Sequence, residues 1–385
     1  MYGLSDDERA ITAMARDFTA EYLTPYALEW DERKHFPVEV FAKAGALGMG
    51  AIYIPEEHGG AGLSRLDGVR IFEQLASGCP VTAAFVSIHN MATWMIATYG
   101  DDAQRAQWLP TLLPMESLAS YCLTEPGAGS DAAALSTKAV RDGDDYVLTG
   151  VKQFISGAGA SQVYVVMART GAEGPRGIST FVVPIDTPGL SFGANEKKMG
   201  WNAQPTRQVI FDQARVPAAN LIGGVGNGFR IAMAGLNGGR LNIAACSLGG
   251  GQAAFDKAVG YLRQRKAFGQ RTLDFQGLQF QLADMRTDLE AARTLLWRAA
   301  AALDADAADK VALCAMAKKF VTDACFDVAD KALQLHGGYG YLSEYGVEKI
   351  VRDLRVNRIL EGTNEIMRVV IARSIIADAD RQKGQ

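Results

Sequence analysis

Tyr146-Val147-Leu148-Thr149, Val163-Tyr164-Val165-Val166-Met167, Ser179-Thr180-Phe181-Val182-Val183 and Gln208-Val209-Ile210-Phe211 are short runs of β-branched and aromatic residues, the composition of strands. Turn signals separate them at Asp142-Gly143-Asp144, Gly171 to Gly177 and Thr187-Pro188-Gly189. The stretch from about 119 to 225 therefore reads as a small antiparallel β domain. On either side the pattern is helical. In residues 1 to 118, Ile11, Met14, Ala15 and Phe18 recur at helical spacing behind a cap at Leu4-Ser5-Asp6-Asp7-Glu8. A second periodic stretch runs from Arg65 to Tyr99 with a break at Pro80. From 226 to 385 the chain is rich in Ala, Leu, Arg and Met. Gly337-Gly338 and Gly362 interrupt it, and Asp304 to Asp309 reads as a turn between helices. Helices, then strands, then helices, without βαβ alternation, predict an α+β fold that is mostly α, in three domains: 1–118, 119–225 and 226–385.

With 385 residues, 48% of them hydrophobic, the chain is long enough for more than one domain. A net charge of −4 without a basic run argues against nucleic acid as a partner. No apolar run reaches membrane-spanning length, and the acidic start from Met1 to Glu8 lacks the pattern of a secretory signal. The five cysteines are scattered and odd in number, which suits a reducing compartment: the cytoplasm of a bacterium or a mitochondrial matrix. The four histidines have no metal-ligand spacing, so no metal is expected. Gly189-Leu190-Ser191-Phe192-Gly193 matches a nucleophile elbow. It sits in a turn between strand-like runs, not between a strand and a helix, and is set aside.

Four segments have the residues for chemistry. Tyr121-Cys122-Leu123-Thr124-Glu125-Pro126-Gly127-Ala128-Gly129-Ser130-Asp131 combines glycines, which let a backbone approach a ligand, with hydroxyl donors; an ordinary interdomain loop has the same composition. Asn237-Gly238-Gly239-Arg240 places a guanidinium beside small residues, suited to a phosphate or a pantetheine, or to solvent. Arg265-Lys266-Ala267-Phe268-Gly269 with Gln276 suits pyrophosphate and adenine, or a solvated basic loop. Ile359-Leu360-Glu361-Gly362-Thr363-Asn364-Glu365-Ile366 sets Glu361 outside a helix that Thr363 or Asn364 caps, between apolar neighbours. A carboxylate so placed is desolvated and becomes a stronger base. A capping or ion-paired glutamate gives the same pattern. Arg373, on the apolar face of Ile366, Val369 and Val370, needs a partner: a CoA phosphate or a structural carboxylate.

Taken together, the segments 121–131, 265–269, Leu335-His336-Gly337-Gly338-Tyr339-Gly340-Tyr341 and Arg358 to Glu365 resemble the acyl-CoA dehydrogenase family in order and spacing along the whole chain. The resemblance implies an N-terminal helical domain, a middle β domain and a C-terminal four-helix bundle, assembled as a homotetramer. It implies FAD contacts from Leu123, Thr124, Gly129, Ser130, Phe154, Ile155, Ser156, Gln334, Leu335, His336, Gly337, Gly338, Thr363, Asn364 and Glu365, and contacts to a neighbour's FAD from Arg265, Phe268 and Gln276. It assigns substrate contacts to Ser130, Asn237, Gly238, Gly239, Arg240, Leu360 and Arg373, and the role of α-proton base to Glu361. Some relatives place the base just before the arginine of the 237–240 segment; here that position is Gly239. Leu360 stands where many straight-chain enzymes have tyrosine, and Asn237 where many have aspartate. With the segments 199–206 and 235–240, this points to a short α-branched substrate, isobutyryl-CoA of valine breakdown, with an electron-transferring flavoprotein as acceptor. A short-chain or 2-methyl-branched-chain dehydrogenase is the alternative, then an acyl-CoA oxidase or a non-catalytic acyl-CoA binder.

Overall fold

The computed structural model describes residues 5–383; Met1 to Leu4 of the acidic start lie outside the described residues, as do Gly384 and Gln385. Six helices come first: α1 (Asp6–Tyr22), α2 (Ala27–Arg33), α3 (Val38–Ala46), α4 (Arg65–Gly78), α5 (Pro80–Tyr99) and α6 (Asp102–Leu112). Ser5 caps α1 in the predicted place, and its partner Glu8 closes a capping box. The break at Pro80 is real: α4 stops at Gly78, and Pro80 opens α5, where a missing N–H costs nothing.

Eight strands follow: β1 (Ala119–Cys122), β2 (Lys138–Asp142), β3 (Asp145–Ser156), β4 (Val163–Arg169), β5 (Ile178–Pro184), β6 (Leu190–Phe192), β7 (Thr206–Pro217) and β8 (Leu221–Ile222). They form one sheet in the order β6-β7-β3-β2-β4-β5-β8, with β1 alongside β4. Pairing is antiparallel except that β1 lies parallel to β4 and β2 meets β4 at one parallel pair. The near-continuous apolar runs of β4 and β5 follow from burial on both faces. Val163, Val165, Met167 and Val182 pack toward Met91, Met95 and Leu236 of the helical layer. Tyr164, Val166, Phe181 and Val183 pack toward Leu148, Val209 and Phe211 within the sheet domain.

The C-terminal part contains α7 (Gly228–Gln264), a hairpin of β9 (Lys266–Ala267) and β10 (Gln270–Arg271), then α8 (Gln276–Asp304), α9 (Lys310–His336), α10 (Val347–Arg355) and α11 (Asn364–Lys383). The four long helices are the bundle, with α10 as a short insertion between α9 and α11. α7 has 37 residues and so extends about 55 Å. Its Gly249-Gly250-Gly251 run is the crossing point of three elements. A Cβ at Gly249 would lie 2.1 Å from the Glu73 carbonyl of α4, one at Gly250 2.9 Å from Leu354 of α10, and one at Gly251 3.0 Å from Cys325 of α9. The Asp304 carboxylate accepts from the N–H groups of Arg65 (2.7 Å) and Leu66 (3.1 Å), so the end of α8 caps the start of α4. All five cysteines are buried and unpaired. Among the described residues no helix is long and apolar enough to cross a membrane.

Candidate active site

Glu361 sits in the turn between the end of α10 and the start of α11. Its φ is 55°, and that of Gly362 is 92°, so two successive residues are left-handed. For a non-glycine residue this costs on the order of 1 kcal/mol and persists only where the surroundings impose it. Two cations supply that constraint. Arg240, buried on α7, donates from Nε to the Glu361 carbonyl (3.2 Å), while its Nη1 is held by the Asn237 side chain one turn earlier (2.9 Å). Lys318, fully buried on α9, donates from Nζ to the Gly362 carbonyl (2.8 Å) and to Asn364 Oδ1 (3.0 Å). Thr363 Oγ1 accepts from the Ile366 N–H (3.3 Å), so the expected cap of α11 is Thr363.

The Glu361 carboxyl points at α7. A Cβ at residue 239 would stand 2.3 Å from its Oε2, so only glycine leaves the carboxylate its place. Positions 239 and 361 thus present a side chain to the same point in space. Burial lifts the Glu361 pKa to about 7, against the pull of Arg240 and Lys318. Its Oε2 is buried without a hydrogen-bond partner, and so is the hydroxyl of Tyr121 on β1. Burial, and next the Glu361 charge, raise the Tyr121 pKa, so the phenol keeps its proton near the carboxylate. Two buried polar groups without partners leave a place that a polar ligand fills.

The loop after β1 is fastened by a buried ion pair. Lys152 Nζ on β3 reaches Glu125 Oε1 (2.7 Å) and the Leu123 carbonyl (3.1 Å). Glu125 also accepts from the N–H groups of Ser136 (2.6 Å) and Thr137 (3.0 Å). Burial works against the Glu125 charge, but Lys152 and these donors outweigh it and bring its pKa down to about 2. Gly129 and Ser130, beyond the pair, are exposed, and a Cβ at Gly127 or Gly129 would meet nothing within 4 Å. The Gln153 N–H bonds the Thr124 carbonyl (2.8 Å) and brings β3 against the loop. There the register of β3 shifts between Lys152 and Ile155, and Phe154 takes a φ of 58° that turns its ring outward, 64% exposed. Bulges of this kind re-aim side chains beside binding sites. Ile155 is buried beneath, and Ser156 Oγ accepts from Gln204 (2.7 Å). The 199–206 segment is docked in turn by Trp201, whose N–H (2.7 Å) and indole N–H (3.0 Å) bond Asp353 of α10.

The remaining predicted residues fall elsewhere. Arg265 is the C-cap of α7, 25 residues past Arg240 and about 38 Å away by helical rise. It lines a cleft of about 550 Å³ together with Gln334, Leu335, His336, Gly337 and Gly338 at the end of α9. Gln334, Gly337 and Gly338 are exposed there, whereas Leu335 and His336 are buried, His336 stacked on Tyr261 at 4.6 Å. Phe268, at the hairpin tip, is 94% exposed, and Gln276 is exposed beside it. The Asn364 side chain is turned into α9, bonded to Thr322 (3.0 Å) and Asp323 (2.9 Å), which leaves its backbone for any ligand. Glu365 and Arg373 are exposed on α11, and Leu360 packs partly against the bundle core. Three groups of this site were not singled out in the sequence: Tyr121, Lys318 and the Glu125–Lys152 pair. For Lys318 a signal exists, because it shares a helix face with Val321, Thr322 and Cys325, where a lone lysine needs a partner.

Similarity to known proteins agrees with this geometry. Residues 5–116, 120–214 and 226–376 match, in turn, the N-terminal, middle and C-terminal domains of acyl-CoA dehydrogenases. The chain is 54% identical over 376 residues to mitochondrial isobutyryl-CoA dehydrogenase of Bos taurus, covering 98% of this chain and 90% of that protein. Butyryl-CoA dehydrogenase from Megasphaera elsdenii superposes with a TM-score of 0.94 at 35% identity, over 98% of this chain and 100% of the other. A glutaryl-CoA dehydrogenase from Mycobacterium smegmatis, solved in complex with FADH2, gives a TM-score of 0.92 at 28% identity over 97% and 95%. By sequence along its whole length and by fold, the chain belongs to the acyl-CoA dehydrogenase family.

Proposed function

We propose that this protein is an FAD-dependent dehydrogenase of short, α-branched acyl-CoA thioesters, isobutyryl-CoA first, with Glu361 as the base that removes the α-proton. The observation that carries the reading is the Glu361 carboxyl itself: its Oε2 is buried without a partner in a half-buried residue, and its pKa is raised to about 7. Such a group is matched to proton abstraction near neutrality, and it ionises more readily than burial alone would permit because Arg240 and Lys318 stand beside it.

The residues present fit the cofactor. Gly127 and Gly129, open where a Cβ would stand, the exposed Ser130 and the outward ring of Phe154 are surfaces that a flat, hydrogen-bonding cofactor can cover, and with Ser156 they are assigned to FAD. When bound there, FAD supplies the acceptor for the β-hydride. The chain's own part is to hold and to activate. The Glu361 N–H polarises the thioester oxygen, and the strained turn fixes the carboxylate over the α-carbon. Substrate binding drives out water, which strengthens the carboxylate as a base. Asn237 and Arg240 order the wall of α7 along which the thioester lies, and Arg373 and Ser130 serve the CoA moiety.

The Arg265 group lies too far along α7 to reach a molecule bound at Glu361, and the exposed Phe268 ring needs a cover. Both fit a homotetramer in which Arg265, Phe268 and Gln276 serve a neighbour's FAD, in the cleft formed with Gln334 to Gly338. Electrons then pass to an electron-transferring flavoprotein. Anaerobic titration of the purified holoenzyme with a panel of acyl-CoA thioesters tests the reading: isobutyryl-CoA should bleach the flavin with a higher kcat/KM than hexanoyl-CoA or longer straight chains. A flavin that no thioester reduces would leave only an acyl-CoA binder, and rapid peroxide formation in air would make the protein an oxidase.

A further inference from the structure

The turn that carries Glu361 is gripped at two consecutive carbonyls by two buried cations from different helices. Arg240 holds the first and Lys318 the second. Lys318 has no exposed surface; burial lowers its pKa to about 8, which leaves it charged at neutral pH, and two acceptors hold its Nζ. Its position is set from behind. Asn364 accepts from Nζ with Oδ1 and is itself locked by Thr322 Oγ1 and Asp323 Oδ1 through Nδ2. The bond to the Gly362 carbonyl therefore transmits the rigid face of α9 to the left-handed turn, one residue from the carboxylate. Resting on the assignment of Glu361 as base, we propose that Lys318 is a positioning residue for the reaction: its buried ammonium fixes the Glu361–Gly362 turn, and its charge stabilises the Glu361 carboxylate.

The titratable and charged groups that face Glu361 are Tyr121 on β1, Arg240 and Cys246 on α7, and Lys318 on α9; Asp323 and Glu365 face Lys318 in turn. Only the two cations oppose the effect of burial on Glu361. Arg240 is committed to the carbonyl and to Asn237, so Lys318 is the cation whose removal leaves the α7 wall intact. Without it the carboxyl holds its proton to higher pH, and the fraction available as base at neutrality falls.

Three variants separate charge from hydrogen bonding: Lys318→Gln keeps a donor without charge, Lys318→Met keeps neither, and Lys318→Arg keeps the charge. Two quantities are read on the holoenzyme. One is the pH dependence of flavin bleaching by isobutyryl-CoA. The other is the infrared titration of the Glu361 carboxyl in substrate-free protein, identified by its loss in Glu361→Gln. The midpoint should rise by about one pH unit in Lys318→Gln and Lys318→Met and stay in place in Lys318→Arg. A rise of that size lowers the ionised fraction at pH 7 about fivefold, with a further loss in Lys318→Met as the turn relaxes. An unchanged midpoint in Lys318→Gln, or an equal rise in Lys318→Arg, overturns the proposal. The comparison of Gln with Arg decides the point even where Lys318→Met does not fold. If isobutyryl-CoA leaves the wild-type flavin oxidised, the substrate reading falls, while the infrared midpoints still decide the role of Lys318.

Discussion

At the scale of single residues, Glu361 is held in a state that favours function over stability. Its pKa is raised from 4.5 to about 7 in the folded protein, so the folded state retains a proton that the unfolded chain gives up. Below about pH 4.5 both states are protonated and the burial costs little. Between about pH 4.5 and 7 the stability from the retained proton is lost, about 3 kcal/mol in all, and above 7 the loss is complete. Glu361→Gln should therefore be more stable than the wild type at pH 8 and equal to it near pH 4, which thermal unfolding at the two pH values will show. The same variant should keep its flavin and lose substrate-driven bleaching by about 10²–10⁴-fold. Its neighbour Leu360 packs partly against the bundle and is smaller than tyrosine. Leu360→Tyr should reduce turnover of isobutyryl-CoA more than that of butyryl-CoA. One methyl in an apolar pocket is worth about 1–3 kcal/mol, so a difference of roughly tenfold or more between the two rates is expected.

At the scale of elements, α7 shows how a helix can be weakened locally so that others reach it. Gly249-Gly250-Gly251 in the middle of a 37-residue helix goes against propensity, yet each position is where another helix crosses. Gly249→Ala would set a methyl 2.1 Å from the Glu73 carbonyl and force α4 away, at a cost of roughly 1–3 kcal/mol. Gly260, in the same helix, is exposed, and a Cβ there meets nothing within 4 Å. Gly260→Ala should instead stabilise by up to about 1 kcal/mol. Urea unfolding of the two variants checks both signs at once. The contrast also marks what sequence can tell. Both glycines lie in the same helical pattern, and only the crossing of α4 distinguishes them.

At the scale of the whole molecule, the two expected cofactor-contacting groups are separated by most of the length of α7. Arg265→Ala should weaken FAD retention while leaving Glu361 and its turn intact. Gel filtration followed by the flavin-to-protein absorbance ratio measures it. If the group serves a neighbour, flavin loss in the wild type should also grow on dilution below the assembly's dissociation constant. A monomer that keeps its flavin fully at any dilution would remove the inter-subunit role. Phe268, 94% exposed at the hairpin tip, is otherwise an uncovered apolar ring.

Composition and periodicity alone determined the succession of helices, sheet and helices, the cap at Ser5, the break at Pro80 and the turn at Asp304 to Asp309, because each rests on local φ/ψ preference or on the spacing of apolar residues along one element. The Glu361 segment was legible for the same reason: a glutamate before Gly362, between apolar neighbours and a helix cap, is a local pattern. Tertiary structure decided what local pattern cannot encode. The parallel docking of β1 on β4, the outward turn of Phe154 at a register shift, and the pairing of Glu125 with Lys152 depend on which strand lies next to which. Gly239 facing the carboxylate joins residues 122 positions apart, and Lys318 on the Gly362 carbonyl spans 44. Desolvation, which makes Glu361 a base near pH 7, is a property of every atom packed around it and comes into being only when α7, α9 and β1 close on the same turn.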